Sequence, residues 1–310
     1  MATDSPSAPP QALLKDLARL LPELNALRTR HLFFLYGGTG LFVVSIATAA
    51  FLLFPDRQFV YLVSILVPLS LSFALFRKLN GKYLRLAKEK LIACIAAASD
   101  STHRESGTFS AGDADDHKIL PPHGKARAGD GFEGRHGSVP FSLQDAAISN
   151  LKQTPRSSRH RRDMSSFSGM MAKIRMKRSF EGHTLVISHN AMQAFHGADI
   201  PGLQRVRLPS NKFEDLFDIF SSDPVEAKVI LSPAFMERFL AIGKLLGAQW
   251  LAVSFLDDEV LLVVQRGRPM FDIGPLWQAV LPERLRQSAE GFEAVTRLIE
   301  TLQANRQTRL

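Results

Sequence analysis

The chain has 310 residues, a formal net charge of +8, 45% hydrophobic and 22% charged residues, and one cysteine, Cys94. This length suits one or two domains, and the composition is close to the globular average. A single cysteine excludes an internal disulfide framework and suits a reducing compartment. The first 30 residues carry proline and charges instead of a basic start, an apolar core and a cleavage site, so they do not resemble a secretory signal peptide.

The N-terminal segment, residues 1–31, contains the run QALLKDLARLLPELNALR. Its helical periodicity predicts an amphipathic helix on the cytoplasmic side, with an apolar face that lies on a membrane surface. Pro22 is expected to bend this helix, because proline removes a backbone donor. The apolar face consists of Leu13, Leu17, Leu20, Leu21 and Leu24.

Two runs without charged residues follow, at residues 32–54 and 59–76. As helices they would be about 34 Å and about 27 Å long, against a hydrocarbon core of about 30 Å. The runs predict two transmembrane helices, the second kinked at Pro68, joined by a tight turn at residues 55–58. A buried hairpin in a water-soluble domain is the alternative, and the polar middle of the chain offers it little core.

Basic residues flank both runs, whereas the turn between them holds only Arg57. The positive-inside rule then predicts a multi-pass inner-membrane protein, with the lipid bilayer as an integral partner and both termini in the cytoplasm. Residues 77–98 are predicted to form a juxtamembrane helix, on which Cys94 is a small buried side chain. The flanking basic residues are Lys15, Arg19, Arg28, Arg30, Arg77, Lys78, Lys82, Arg85, Lys88 and Lys90.

Residues 99–138 are rich in turn-forming residues, which predicts a polar loop, with disorder as the alternative. Three glycines match G-x-G-x-x-G, but the match lacks the strand before it and the helix after it that a dinucleotide site needs. Four histidines lack the close ligand spacing of a metal site, so a solvated loop without metal or cofactor is favoured. These residues are Gly129, Gly131 and Gly134, and His103, His117, His123 and His136.

Residues 150–180 carry nine basic side chains and one acid, Asp163. This segment predicts contact with anionic lipid headgroups. Nucleic acid is disfavoured, because the aromatic residues of a single-strand binder are missing, and a solvated basic loop without a partner stays open. The predicted lipid contacts are Arg156, Arg159, Arg161, Arg162, Lys173, Arg175, Lys177 and Arg178.

From residue 139 to residue 310 the pattern predicts a cytoplasmic α+β domain with largely antiparallel strands. Strands are predicted at SVPFSLQDAAIS, MMAKIRMKRSF, HTLVIS, LQRVRL and FEDLFDIFSS. Asp223 and Ser232, each followed by proline, predict two helix starts. The predicted apolar stripe of the second helix consists of Phe235, Phe239, Ile242 and Leu246. AQWLAVSFL and VLLVVQR then predict a hairpin, and FEAVTRLIETL predicts a terminal helix.

No residue pattern in this domain identifies a reaction. Glu214, Asp215 and Asp218 are compatible with an active-site pair, but solvated charges on a strand are favoured. No nucleophile stands beside a base, and no phosphate loop is present. The predicted function is therefore a membrane-anchored cytoplasmic binding or scaffold module with a protein partner. An enzyme with an unrecognised site and an anionic-lipid sensor acting through residues 150–180 are the alternatives.

Three stretches carry a resemblance to a known family: SFEGHTLVI at 179–187, FEDLFDIFSSDPVEAKVILSPAFMERF at 213–239, and the hairpin with the terminal helix. Together with the two N-terminal runs, they resemble a bacterial family of uncharacterised membrane proteins, catalogued as domain of unknown function three-one-three-seven. The resemblance implies an inner-membrane protein of unknown activity, and it transfers no active-site residue.

Overall fold

The structure, a computed structural model, describes residues 11–53, 58–99, 101–105, 107–108, 110, 112–149, 151–152, 166–177, 179–208 and 211–307. The chain divides into two compact units. We call the first the α+β unit; it comprises Met1–Leu13, Ile95–Phe271 and Gln287–Leu310. We call the second the helical unit; it comprises Leu14–Cys94 and Asp272–Arg286.

The described elements alternate irregularly between helix and strand, as in an α+β protein. The helices are α1 (Gln11–Leu53), α2 (Gln58–Ser99), α3 (Gly112–Asp116), α4 (His189–Phe195), α5 (Asn211–Glu214), α6 (Pro224–Ile230), α7 (Pro233–Leu245) and α8 (Pro282–Gln307). The strands are β1 (Thr102–Arg104), β2 (Ala126–His136), β3 (Val139–Ser149), β4 (Ser166–Arg175), β5 (His183–Ser188), β6 (Gln204–Arg205), β7 (Phe217–Ser221), β8 (Trp250–Leu256) and β9 (Glu259–Gln265).

The strands form one nine-stranded sheet in the order β1-β2-β3-β4-β9-β8-β5-β7-β6. Every described pair of neighbouring strands is antiparallel. The predicted hairpin is β8 and β9, whose two-residue turn places Asp257 at a φ of 51°, as a tight hairpin turn requires. The prediction of an α+β fold with antiparallel strands is therefore right.

Helices cover both faces of the sheet. On one face, α3 and α4 pack on a core that includes Phe167, Leu185 and Trp250. On the other face, Phe239 of α7 contacts Phe217, and Phe292 of α8 contacts Phe132. Because both faces are buried, the central strands are apolar on both sides, which explains runs such as VLLVV in β9.

Residues 99–138, for which the sequence predicts a polar loop, contain β1, α3 and β2 in the structure. The reason is pairing with β3, which supplies partners to residues 126–128 and 131–136 of β2, with a register shift between Ala128 and Gly131. Glycine suits β2 because neighbours approach it closely: a Cβ atom on Gly129 would lie 2.9 Å from the Asp145 side chain. Tertiary contacts here outweigh the low strand propensity of glycine. The three glycines of the G-x-G-x-x-G match therefore lie inside the strand β2.

The four N-terminal segments predicted from the sequence form two continuous helices: α1 joins the first two segments, and α2 joins the other two. Pro22 lies inside α1, and α2 joins the segments 59–76 and 77–98. Leu17, Leu20 and Leu24 of the predicted amphipathic face are buried. The predicted turn between the helices lies almost entirely outside the described residues.

A loop following residue 271 is held to this pair of helices by two asparagine side chains. Asn25 accepts a hydrogen bond from Val280 N at 3.2 Å and donates to Val280 O at 3.3 Å. Asn80 accepts from Leu276 N at 2.9 Å, and the Trp277 ring lies 5.6 Å from that of Phe76. The sequence contains no pattern that predicts these contacts, because the residues that form them are far apart along the chain.

The prediction of a transmembrane hairpin at residues 32–54 and 59–76 is wrong. Among the residues that the structure describes, no helix combines the length and the apolar character that a membrane crossing demands. The prediction counted residues without charge, whereas insertion depends on the summed transfer free energy of the run, to which Gly37, Gly38 and Thr39 contribute little. The predicted localisation depended on that hairpin and is therefore also wrong: it had made the chain a multi-pass inner-membrane protein with both termini in the cytoplasm.

Candidate functional site

Four neighbouring strands of the α+β unit place polar side chains on the same face of the sheet. Alternate residues of a strand share a face, and the register sets Arg175 of β4 opposite Glu259 of β9. On the next strands Ser254 lies opposite Leu261, and His183 lies opposite Leu256. The polar row thus crosses the middle of the sheet on the face that α3 and α4 cover.

Ser254 is the centre of this row and is fully buried. Its Oγ lies 2.9 Å from Nδ1 of His117, which follows α3, and 2.9 Å from Nε2 of His183 on β5. The two imidazole rings are also nearly buried, and their centroids lie 6.3 Å apart. One hydroxyl therefore joins a side chain of the covering segment to two strands of the sheet.

A carboxylate stands at one end of this arrangement. Glu259 Oε2 lies 3.8 Å from His117 Nε2, and the same carboxylate pairs with Lys173 at 3.6 Å and with Arg175 at 2.6 Å. Lys173 also pairs with Asp113 of α3. We call the four side chains Glu259, His117, Ser254 and His183 the buried polar chain.

Burial dominates the electrostatics of the buried polar chain. It lowers the pKa of His183 to about 4, and the neighbouring charges of His117 and Lys118 act in the same direction. It also lowers the pKa of His117, although Glu259 acts against it. For Glu259, burial opposes ionisation, but the hydrogen bond from Arg175 and the charge of Lys173 outweigh it and lower the pKa. At neutral pH the carboxylate is charged and His183 is neutral.

A serine beside a histidine that faces a carboxylate has the residue types of a nucleophile, a base and an orienting group. Ser254, however, has no exposed surface, and both imidazoles that bracket it are occupied by its hydroxyl. An acyl or phosphoryl substrate must reach the nucleophile before attack. The chain of hydrogen bonds is therefore suited to holding the covering segment and exchanging protons, and it is not suited to turnover in this conformation.

A second cluster lies at Asp218 of β7, whose carboxylate is buried. It pairs with His189 at the start of α4 and with Arg205 of β6. The predicted carboxylate group is not assembled: Glu214 instead accepts a hydrogen bond from Leu208 N at 2.6 Å, and Asp215 is exposed. Asp218 thus fastens α4 and β6 to β7.

The predicted lipid contacts are divided by the structure. Arg156, Arg159, Arg161, Arg162 and Arg178 lie outside the described residues. Lys173 and Arg175 are ion-paired with carboxylates of the same unit, and Lys177 is exposed. Contact of these eight side chains with lipid headgroups stays a prediction.

The four histidines of the predicted loop do not converge. His103 contacts Asp130 at 3.2 Å, His123 contacts Asp115 at 3.4 Å and His136 contacts Glu300 at 3.2 Å, while His117 belongs to the buried polar chain. Within the described ranges no three potential ligands among His, Cys, Asp and Glu gather as a metal site.

The helical unit contains an apolar groove of about 670 Å³ between α1 and α2. Two of its hydroxyl groups, on Thr39 and Ser70, donate to backbone carbonyls of their own helices. A ligand site usually has a few converging polar groups that orient its ligand, so this groove is the weaker candidate. It is lined by Leu35, Tyr36, Thr39, Leu66, Ser70, Ser72, Phe73 and Phe76.

Sequence reasoning missed the buried polar chain because its members are distributed over three strands and one predicted loop. The available signal was local: Ser254 is the polar residue inside the apolar strand WLAVSFL, and an interior polar residue needs a partner. His117 precedes the apolar pair Ile119 and Leu120, both of which are buried. That pair was the indication that residues 112–123 pack against a core.

Comparisons with known proteins give a family match over part of the chain and no activity. No curated protein sequence matches this chain. Among solved structures, the crystal structure of the mycobacterial trehalose monomycolate transport factor A, TtfA, aligns at 9% identity and covers 68% of this chain and 90% of that one. Its TM-score of 0.39 is too low to carry an argument. Residues 165–304 match the profile of a family described as protein of unknown function (DUF3137). The resemblance to this family is thereby confirmed over residues 165–304.

Proposed function

We propose that this chain is a binding or scaffold module that acts through contact with a protein partner and catalyses no reaction of its own. The observation that carries this proposal is that the buried polar chain is closed to solvent. Among the described residues it is the arrangement richest in catalytic residue types, and its serine is inaccessible.

The exposed surface supports a binding role. In the helical unit, large apolar side chains such as Phe33, Leu41 and Phe73 are exposed on α1 and α2, and Trp277 is 56% exposed. Extended exposed apolar surface is typical of regions that contact another molecule, and tryptophan is enriched where binding energy is concentrated. In the α+β unit, Val225 and Val229 are exposed one turn apart on α6.

Site-specific photo-crosslinking of the full chain in its own cells tests the binding role. A photoreactive phenylalanine analogue at Val225, Phe73 or Trp277 is compared with the same analogue at the exposed polar position Lys212. We expect one discrete protein adduct from an apolar position, none from Lys212, and loss of the adduct when excess unlabelled chain is present. Equal and diffuse labelling at all four positions would contradict a specific partner.

A fluorophosphonate probe, which reacts with activated serines, tests the absence of catalysis. We expect no adduct on Ser254 in the folded chain, because its hydroxyl is buried between two imidazoles. An adduct that maps to Ser254 and disappears in Ser254→Ala would show that the serine becomes accessible, and it would favour the enzyme instead.

A further inference from the structure

Ser254 Oγ lies between two imidazole nitrogens, Nδ1 of His117 and Nε2 of His183, at 2.9 Å from each. A hydroxyl has one hydrogen to donate, and a neutral imidazole carries one hydrogen on one of its two nitrogens. With both imidazoles neutral, the hydroxyl can therefore donate to one of these nitrogens and accept from the other.

One added proton can be accommodated on His117, because its Nε2 lies 3.8 Å from the Glu259 carboxylate, which compensates a positive charge on this ring. Once both rings are protonated, both nitrogens beside Ser254 carry hydrogens. The serine hydroxyl then has no acceptor among them, and two cations stand with ring centroids 6.3 Å apart.

The buried polar chain holds a short segment, residues 112–123, against the sheet. We call it the α3 segment. Ala114, Ile119 and Leu120 of this segment are buried in the core. Its other polar ties to the rest of the unit include Asp113 to Lys173, Lys118 Nζ to Pro201 O at 2.7 Å, and Ile119 O to His196 Nε2 at 3.4 Å. The hydrogen bond between His117 and Ser254 is the contact that reaches the middle of the sheet.

We propose that the buried polar chain is a proton-sensitive latch, which keeps the α3 segment closed on the sheet and releases it when the second imidazole is protonated. The charges that face His117 are Glu259 of β9, Lys173 of β4 and Asp113 of α3. Those that face His183 are His117, Lys118 and Asp257. This inference concerns regulation and stands independently of the proposed binding role.

The direction of the pH effect follows from the lowered pKa values. An imidazole whose folded pKa lies below its ordinary value of 6.5 binds more protons once released. The stabilisation of the closed state is therefore fully present above about pH 6.5. It is lost as the pH falls toward about 4, the pKa of His183 in the closed state. For each proton taken up, the opening constant rises by up to about tenfold per pH unit.

Hydrogen exchange of the full chain, corrected for the intrinsic pH dependence of each amide, tests the latch. The reporters are the amides of His117, Lys118 and Ile119, which are bonded within the α3 segment. We expect their protection to fall between pH 6.5 and pH 4, while the amides of the β5–β7 ladder keep theirs. A parallel loss in both regions would indicate global unfolding and overturn the proposal.

Three variants assign the effect to particular side chains. His183→Gln, which keeps a polar group near Ser254, is expected to flatten the pH dependence. His196→Gln removes a half-buried histidine that contacts the segment and whose pKa is also lowered by burial, so it is expected to reduce the dependence in part. His136→Gln removes a half-exposed histidine near Glu300 and is the control that is expected to leave the dependence unchanged. A steep dependence that survives in His183→Gln and disappears in His196→Gln would overturn the latch.

Nitrogen NMR of labelled histidines in the unmodified chain keeps the proposal testable if a variant does not fold. We expect the two rings to gain their protons in separate steps as the pH falls, with His117, which faces the Glu259 carboxylate, first. Simultaneous titration of both rings near pH 6.5 would overturn the latch.

Discussion

At the scale of single residues, Ser254 shows how one hydroxyl organises a buried region. It lies in an apolar strand with no exposed surface, and its Oγ contacts two imidazoles at 2.9 Å each. Removing one partner from a buried hydrogen bond costs more than the bond contributes, because the groups left behind stay desolvated. Two imidazole nitrogens depend on this one oxygen.

Replacing Ser254 by alanine is expected to destabilise the chain by about 2 kcal/mol, the cost of leaving buried partners unsatisfied. The measurement is the midpoint of denaturant unfolding. Ser142→Ala on β3 is the matched control, because this serine is half-buried, and it should change stability by less than about 0.5 kcal/mol. Equal shifts in the two variants would show that the hydroxyl contributes nothing beyond its strand position.

At the scale of secondary structure, helix starts were predictable and long-range pairings were not. Asp223 and Ser232 accept hydrogen bonds from backbone N–H groups of the helices that they precede, with proline in the first turn of each. These signals lie within four residues of one another, so the sequence contains them completely. β2 was missed because its stability comes from β3 and from close packing at its glycines.

Asp223→Ala tests the cap of α6. The carboxylate accepts from Val225 N at 2.9 Å and from Glu226 N at 3.1 Å, so its loss should cost about 1 kcal/mol. Hydrogen exchange should show the amides of Val225 and Glu226 losing protection first. The control is Asp215→Ala, at an exposed aspartate, and a similar loss there would argue against a specific cap.

At the scale of the whole molecule, the β4–β9 pair joins the two halves of the nine-stranded sheet. β1 to β4 lie on one side of this joint and β5 to β9 on the other. Gly169 lies in the joint, and a Cβ atom built on it would stand 2.0 Å from the backbone oxygen of Val264. The backbone cannot move away at this position without breaking the ladder.

Gly169→Ala is therefore expected to destabilise the sheet by about 3 kcal/mol, the upper range for overpacking a core. Thermal or denaturant unfolding followed by fluorescence of the buried Trp250 measures the change. Gly81→Ala is the control, because a Cβ there meets nothing within 4 Å and alanine favours a helix by about 0.5–1 kcal/mol. Equal destabilisation by both changes would show that the close approach at Gly169 is not decisive.

The sequence by itself determined the α+β class, the antiparallel hairpin of β8 and β9, the capped starts of α6 and α7, and the family match over residues 165–304. Each of these depends on short-range periodicity, turn chemistry or capping, which neighbouring residues specify. Tertiary structure alone decided that β2 is a strand, that α1 and α2 run continuously, and that His117 meets Ser254 and His183. These features require partners that are remote along the chain, and burial by those partners sets both the conformation and the proton affinity of the side chains involved.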